Sequence, residues 1–270
     1  MNNIFEQIQQ AVKSGRRIVL ATVVEKKGHG PAAPGARMIV NEDGSSIGTV
    51  GGGALERAAL KAAEAIFHSG RTALILYNLD DDNQLVDATE TGMVCGGSTT
   101  IYFELMGDSP HLVLIGAGHV GQAILAHAAL LGFRVTLSDS RKGLLENIQH
   151  HNTVLLPDYR DRYSELGITS RSYVVVCTHS HASDAVAMDR LYSLSIRPAY
   201  IGVLASRKKA EAMVPELKKQ HPEADLSNLH MPVGLKIGGP APQEIAISVL
   251  AEIQAIRYGQ PGQSHMGETW

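Results

Sequence analysis

The chain has 270 residues, of which 44% are hydrophobic and 19% charged, with a formal net charge of −3. This composition is typical of a soluble globular protein with one or two domains, and the weak charge gives no electrostatic case for binding nucleic acid or a membrane surface. Two cysteines and the absence of an apolar run of membrane-spanning length favour a reducing cytoplasm, without a disulfide framework.

The first half of the chain mixes short strand patterns with glycine clusters. Residues 54–70 have the period of an amphipathic helix, and Gly70 is a typical C-terminal stop. Around this helix, the predicted β-segments are residues 16–24, a hairpin at 36–50 that turns at Asn41–Gly44, and residues 73–79 and 99–105. The order predicts a small mixed sheet with a helix on one face, whose shared face is Leu55, Ala59, Ala62 and Ile66.

The second half alternates apolar strands with helices. Its predicted strands are residues 111–116, 133–139, 153–157, 172–178 and 199–205. The βαβ order predicts a doubly wound, largely parallel sheet. We therefore expect one domain at residues 1–106, a second at 110–258, and a disordered C-terminal tail at 259–270.

A glycine motif follows the first strand of the second half. Gly116, Gly118 and Gly121 match G-x-G-x-x-G, in which the glycines permit a tight turn, the approach of a diphosphate and close helix packing. Asp139 ends the next strand, near the spacing expected of a carboxylate that binds ribose. The pattern predicts a nucleotide-type ligand, with close packing alone as the alternative. It does not by itself indicate hydride transfer.

A glycine triplet precedes the helix of the first half. The N–H groups of Gly51, Gly52 and Gly53 are a second candidate anion site, since they stand at the positive end of a helix. A flexible exit from the hairpin explains the triplet equally well. Arg37, on the adjacent strand, either adds a charge-assisted contact or is a solvated strand residue.

Two histidines and an aspartate follow the strand at 172–178. His179, His181 and Asp184 are placed to bind metal or transfer protons, whereas Ser183 or Asp184 can alternatively cap the next helix. We predict capping by Asp184 and a ligand-facing role for His181. Cys177, within the apolar strand, is predicted to be a core thiol.

The other cysteine has a different setting. Cys95 is followed directly by Gly96 and Gly97, so local backbone N–H groups can stabilise its thiolate. Such a thiolate is a nucleophile, a sulfur carrier or a ligand for a soft metal. A cysteine that merely fills a small space at a turn is the alternative.

Taken together and in this order, the motifs resemble the XdhC/CoxI family, the accessory factors of molybdenum hydroxylases such as xanthine dehydrogenase. The resemblance implies an N-terminal XdhC/CoxI domain and a C-terminal Rossmann-like domain, usually in a dimer, and a protein that is not itself an oxidoreductase. It also implies a factor that binds the molybdenum cofactor, supports its sulfuration with a cysteine desulfurase and inserts it into an apo-hydroxylase. The matching stretches are residues 27–40, 48–56, 91–97, 114–123, 178–184, 200–209 and 232–253.

The chain departs from the family pattern at two places. Ala54 follows the glycine triplet, where the family commonly has cysteine, so Cys95 would act without a partner thiol. Ala32 and Ala33 follow Pro31, where the family usually has a basic residue. His29 or Arg37 can substitute for that missing charge.

The resemblance assigns roles to the candidate residues. Cys95 would contact molybdenum or carry sulfur, and the glycine motifs, Gly96 and Gly97 included, would bind the cofactor. The Rossmann-like half would bind the cofactor's phosphate or nucleotide part, or a separate nucleotide. Two alternatives stay open: an NAD(P)-dependent oxidoreductase, from the glycine motif and Asp139, and a nucleotide-sensing regulatory protein, since the same motif resembles the ligand-binding domains of potassium-channel regulators.

Overall fold

The computed structural model describes residues 4–31, 33–79, 88–91, 96–148 and 151–260. The chain divides into two compact units between Asp108 and Ser109. Cys95 and residues 261–270 of the predicted tail lie outside the described residues.

The first unit is a six-stranded mixed sheet, as the sequence predicts, but a helix packs against each face rather than against one face only. Its strands lie in the order β3, β2, β1, β6, β4, β5, and the pair β4–β5 is parallel. Successive strand residues point to opposite faces, so Val19 and Ala21 pack under α2 while Ile18 and Leu20 pack under α1. The elements are α1 (Ile4–Ser14), β1 (Ile18–Gly28), β2 (Arg37–Asn41), β3 (Ser46–Gly48), α2 (Gly53–Ser69), β4 (Ala73–Asn78), β5 (Thr89–Glu90) and β6 (Gly97–Met106).

Helix α2 differs from its prediction by one residue. Its buried positions are Leu55, Ala59, Ala63 and Ile66, and Ala62 is only partly buried. The spacing of four and then three residues keeps Ala63, rather than its neighbour, on the face that meets the sheet. The helix ends at Gly70 as predicted, with that residue in the left-handed region and its N–H bonded to the carbonyl of Ile66.

The second unit confirms the doubly wound architecture. Six parallel strands lie in the order β12, β11, β10, β7, β8, β9. Helices α3 and α7 pack on one face, and α5 and α6 on the other. The elements are β7 (His111–Ile115), α3 (His119–Leu130), β8 (Arg134–Asp139), α4 (Lys142–Leu145), β9 (Asn152–Leu155), β10 (Tyr173–Val176), α5 (His181–Tyr192), β11 (Tyr200–Val203), α6 (Arg207–Gln220), β12 (Leu229–His230) and α7 (Pro242–Arg257).

The strand order reverses at β7. The chain moves outward from β7 to β8 and β9, and it then returns to form β10 on the other side of β7. The loops after β7 and β10 therefore flank the switch point, where ligands bind in open α/β sheets. Among the described residues, no helix is long and apolar enough to cross a membrane.

Candidate functional site

The three glycine-rich motifs of the first unit lie at one end of its sheet. β1 ends at Gly28, and its antiparallel neighbour β6 begins opposite it, at Gly97. β3 ends at Gly48, beside the start of β2, and the glycine triplet follows. The pairing therefore gathers segments 27–36, 48–53 and the residues around 96–97 at the same end.

Backbone contacts join the first and third of these motifs. The N–H of His29 donates to the carbonyl of Gly96 at 2.7 Å, and Gly28 is paired with Gly97. A Cβ atom on Gly97 would lie 2.3 Å from the carbonyl oxygen of Lys27, and its φ is +151°. Glycine is required there because only glycine permits so close an approach.

The residues on either side of segment 92–95, Thr91 and Gly96, are hydrogen-bonded to two consecutive residues, Asn78 and Leu79. The Thr91 hydroxyl donates to the carbonyl of Asn78 at 2.6 Å, and the Gly96 N–H donates to the carbonyl of Leu79 at 3.1 Å. Cys95 itself lies outside the described residues, so its thiolate role stays a prediction. The described residues Thr91 and Gly96 lie at the same end of the sheet as the glycine-rich motifs.

Two N–H groups of the glycine triplet are already hydrogen-bonded to side chains of the same unit. The Gly51 N–H donates to the Thr49 hydroxyl at 3.1 Å, and the Gly52 N–H donates to Glu56 Oε1 at 3.2 Å. The same oxygen accepts the Thr49 hydroxyl at 2.5 Å. Glu56 thus places a carboxylate at the helix N-terminus, where an external anion would bind. Space nevertheless remains, since no atom lies within 4 Å of a Cβ built on Gly52 or Gly53.

Arg37 lies away from the triplet. Its neighbours on β2, Met38 and Val40, pack under α2, so Arg37 belongs to the opposite face of the sheet. There its guanidinium lies 5.4 Å from the ring centroid of Phe5, which comes from α1. This cation–π contact replaces the expected contact with an anion at the triplet.

The three glycines of the second-unit motif have different surroundings. A Cβ on Gly116 would lie 2.2 Å from the Cys177 carbonyl oxygen, and one on Gly121 would lie 2.0 Å from the Gly116 oxygen. Both glycines are therefore required for packing. Gly118 has no atom within 4 Å of a Cβ position, so it is the one that leaves room for a ligand at the start of α3.

Asp139 is not free to bind a ribose. Its side chain is fully buried, and Ala117 and Arg141 donate four hydrogen bonds to its two oxygens. Burial alone would raise the pKa of this carboxyl, but the hydrogen bonds from Arg141 and from the Ala117 N–H lower it below its ordinary value. The carboxylate instead fixes the glycine loop and the Arg141 side chain.

The loop after β10 corrects the capping prediction. Ser180, not Asp184, caps α5, and its hydroxyl accepts the N–H of Ser183 at 3.1 Å. Asp184 is buried within the first turn, where it accepts the Thr178 N–H at 3.0 Å and binds Lys209 Nζ at 2.5 Å. This buried ion pair joins the start of α5 to the start of α6.

The histidines of this loop form no metal centre. His181 is exposed at the first position of α5, and the His179 ring lies 6.1 Å from the ring of Tyr159. Within the described part of the chain, no group of three or more His, Cys, Asp or Glu is placed to hold a metal ion. The role predicted for His181 has no further support from the geometry.

Cys177 is a core thiol, as its sequence setting predicts. Its Sγ lies 3.4 Å from the carbonyl oxygen of Gly116. Burial, with smaller effects from Asp184 and Asp139, raises the pKa of the thiol to about 12. The side chain therefore stays protonated at neutral pH and is a poor nucleophile.

Sequence reasoning missed three charged residues with defined partners at these sites. Glu56 accepts a hydrogen bond from the glycine triplet, Arg141 forms an ion pair with Asp139, and Lys209 forms an ion pair with Asp184. A signal existed for each, because Glu56 ends the stretch 48–56, Lys209 ends 200–209, and Arg141 follows Asp139 by two residues. Only the fold shows that each of these side chains binds the partner named above.

Comparison with protein families gives two matches. A model described as the XdhC Rossmann domain matches residues 112–253, and one described as the XdhC and CoxI family matches residues 11–78. The first match lies within the parallel-sheet unit, and the second covers most of the other unit's elements, from α1 to β4.

Three curated relatives are similar to parts of the chain. Uncharacterized protein YqeB of Escherichia coli (strain K12) is 34% identical over 264 residues, which cover 96% of this chain and 47% of YqeB. A probable xanthine dehydrogenase subunit of Bacillus subtilis (strain 168) is 30% identical, over 58% of this chain and 46% of that protein. The molybdenum cofactor insertion chaperone PaoD of E. coli (strain K12) is 37% identical, over 34% and 27%. The matched regions thus span about half, or less, of the length of these relatives.

The fold is also found among solved structures. The crystal structure of a xanthine dehydrogenase from Bacillus halodurans is 18% identical, with a TM-score of 0.50 and a coverage of 97% of both chains. At this low identity, the likeness concerns the fold alone.

Proposed function

Because the chain belongs to the XdhC/CoxI family, we propose that it is an accessory protein of a molybdenum hydroxylase and that it holds the molybdenum cofactor for its client. Two relatives support this direction by their names, one as a probable component of xanthine dehydrogenase and one as a molybdenum cofactor insertion chaperone.

One observation carries the proposal. The glycine-rich motifs of the first unit, far apart in sequence, come to the same end of one sheet. Thr91 and Gly96, the described residues on either side of the segment that contains Cys95, also lie there, since they bond to the adjacent residues Asn78 and Leu79. We therefore propose that the Cys95 thiol and the backbone donors for an anion act together at this end of the unit.

The chemistry of the cargo suits these groups. A pyranopterin cofactor carries a phosphate and a molybdenum centre with dithiolene and oxo ligands. The open space above Gly52 and Gly53 fits a phosphate at the N-terminus of α2, provided that the Glu56 carboxylate moves away. A thiolate at Cys95 is a soft ligand that can hold molybdenum reversibly or pass on sulfur as a persulfide.

The finer steps belong to the same proposal. Reversible binding at Cys95 suits delivery to an apo-hydroxylase, because cargo that is held too tightly is never released. Sulfuration of the cofactor requires a sulfur donor, and a cysteine desulfurase is the partner we propose for it. A homodimer is likewise part of the proposal.

The test is the cofactor content of the full chain, purified from a molybdate-replete host and from a molybdate-depleted one. In the first preparation we expect equal molar amounts of molybdenum and pterin, the pterin being measured by the fluorescence of its oxidised form. In the second preparation we expect less molybdenum. Protein that carries neither molybdenum nor pterin from the replete host would overturn the proposal. Oxidation of NAD(P)H with a small substrate by the purified chain would instead favour an oxidoreductase.

A further inference from the structure

The end of β8 presents a cation where a dinucleotide-binding fold commonly presents a carboxylate. Asp139 Oδ1 accepts the backbone N–H and Nε–H of Arg141, at 2.9 and 2.8 Å. Oδ2 accepts the Ala117 N–H at 2.7 Å and Nη2 of Arg141 at 2.9 Å. A carboxylate has about four lone-pair sites, so this one has none left for a ribose hydroxyl.

The Arg141 guanidinium is the group that remains available. Two of its five N–H donors bind Asp139, which leaves three without an acceptor among the described residues. The side chain is 45% exposed, and its hydrogen bond to Asp139 raises its pKa. Because the pairing with Asp139 is bidentate, the guanidinium is fixed in orientation rather than mobile on a flexible stem.

This guanidinium lies beside the open part of the glycine motif. Arg141 Nη2 and the Ala117 N–H donate to the same oxygen of Asp139, so the two groups are neighbours. The next residue is Gly118, beside which the space for a Cβ is empty. An anion bound to Arg141 can therefore belong to a ligand that extends over Gly118.

A buried hydroxyl lies at the same place. Tyr159 is 1% exposed, and no group within the described ranges meets ordinary hydrogen-bond geometry with its hydroxyl. Burial raises the pKa of Tyr159, while interactions of its hydroxyl with the nearby Ser140 lower that pKa and those with Asp139 raise it. The charge of Tyr159 also raises the pKa of Arg141, so these groups lie close together. Its backbone has a φ of +55°, in the left-handed region. A buried donor held in such a conformation is suited to a ligand acceptor.

We propose that the end of β8 binds a phosphomonoester, with Arg141 as its main ligand and the Ser140 and Tyr159 hydroxyls as further donors. Doubly wound folds discriminate in this way, with a carboxylate for a free ribose 2′-hydroxyl and an arginine for a 2′-phosphate. Here Arg141 neutralises the carboxylate and replaces it as the binding group. The site does not depend on whether the first unit holds the molybdenum cofactor.

Two sources can supply this group: the 2′-phosphate of an adenine nucleotide, or the terminal phosphate of a pterin. The test is calorimetric titration of the full chain, in phosphate-free buffer, with two matched pairs of probes. One pair is 2′-AMP and adenosine, and the other is 6-hydroxymethylpterin phosphate and 6-hydroxymethylpterin. We expect the phosphorylated member of at least one pair to bind at least tenfold more tightly, and the pair that discriminates identifies the source.

Variants separate recognition from folding. Arg141→Met should remove the preference for the phosphorylated probe and strengthen binding of adenosine, because Asp139 regains lone pairs for the ribose. Tyr159→Phe, which keeps the ring, should lower the affinity for the phosphorylated probe several-fold. Lys142→Met, at an exposed neighbouring charge, should keep the preference. Equal affinity of the wild-type chain for both members of each pair, no binding of any probe, or an unchanged preference in a folded Arg141→Met variant would overturn the proposal.

Discussion

Arg141 binds the buried carboxylate of Asp139 with two parallel hydrogen bonds, Nε to Oδ1 at 2.8 Å and Nη2 to Oδ2 at 2.9 Å. Because the Ala117 N–H shares Oδ2, this pair also fixes the glycine loop after β7. The carboxyl pKa is lowered in the folded chain, so the contribution of Asp139 to stability is present above its ordinary pKa of 3.8 and is lost as the pH falls through the folded value.

Replacement of the carboxylate should loosen the glycine loop. Asp139→Asn removes the charge that compensates Arg141 and leaves one acceptor oxygen for four donors. We expect the free energy of unfolding to fall by about 2 kcal/mol, together with faster hydrogen exchange of the Ala117 amide. Asp161→Asn, at an exposed carboxylate, is the matched control. An unchanged Ala117 exchange rate would mean that Asp139 does not hold the loop.

The buried His111 should make the second unit sensitive to mild acid. Burial, with a smaller effect of the Arg134 charge, lowers its pKa to about 4, so the ring is neutral in the folded chain. The unfolded chain binds this proton from pH ~6.5 downward, so stability is complete above that pH and declines towards pH 4, by up to roughly 3 kcal/mol. Hydrogen exchange of the β7 and β10 amides across this range measures the loss.

A variant isolates the His111 contribution. His111→Gln keeps groups that can hydrogen-bond to Ser172 and Thr136, the present partners of the ring, but does not titrate. Its exchange rates should depend much less on pH than those of the wild type, whereas His127→Gln, at a partly exposed helix position, should behave like the wild type. Full pH dependence in His111→Gln would show that another group causes the acid sensitivity.

Removal of the charge at Glu56 should improve anion binding in the first unit. Glu56→Gln keeps an oxygen that can accept the Gly52 N–H and the Thr49 hydroxyl, but it no longer repels an anion at the start of α2. A unit charge about 4 Å away is worth about 1 kcal/mol in bulk water and more near a protein surface, so cofactor retention should rise by about fivefold or more.

The measurement is molybdenum and pterin per chain after extended dialysis. Glu64→Gln, which also lies on α2 but at its exposed surface away from the triplet, is the control for net charge. Lower retention in Glu56→Gln than in Glu64→Gln would show that the Glu56 carboxylate itself helps to bind the cargo.

Much of the fold follows from local patterns. The apolar strand, glycine motif and helix at residues 111–130 could be predicted because each has its own period and boundary signals. Strand β12 could not be predicted, since two residues carry no period. The burial of Ala63 in place of Ala62 reflects the exact rotation of α2 on the sheet.

The candidate sites are harder to predict, because partners that are distant in sequence decide what a side chain can still bind. Asp139 has the position of a ribose-binding carboxylate, but Arg141 and the backbone of Ala117 occupy it. Arg37 has the charge for an anion, but the alternation along β2 puts it on the face of α1. Residue type gives the chemistry in these cases, and packing decides whether it is available.

The central claim is that Cys95 holds the molybdenum cofactor, and its most direct test compares the two single-cysteine variants. The full-length wild type, Cys95→Ser and Cys177→Ala are purified from a molybdate-replete host, and molybdenum and pterin per folded chain are measured. Because the Cys177 thiol is buried and its pKa is raised to about 12, Cys177→Ala should retain the wild-type cofactor content. We predict that Cys95→Ser retains less than a tenth of it, and wild-type molybdenum content in folded Cys95→Ser would contradict the claim.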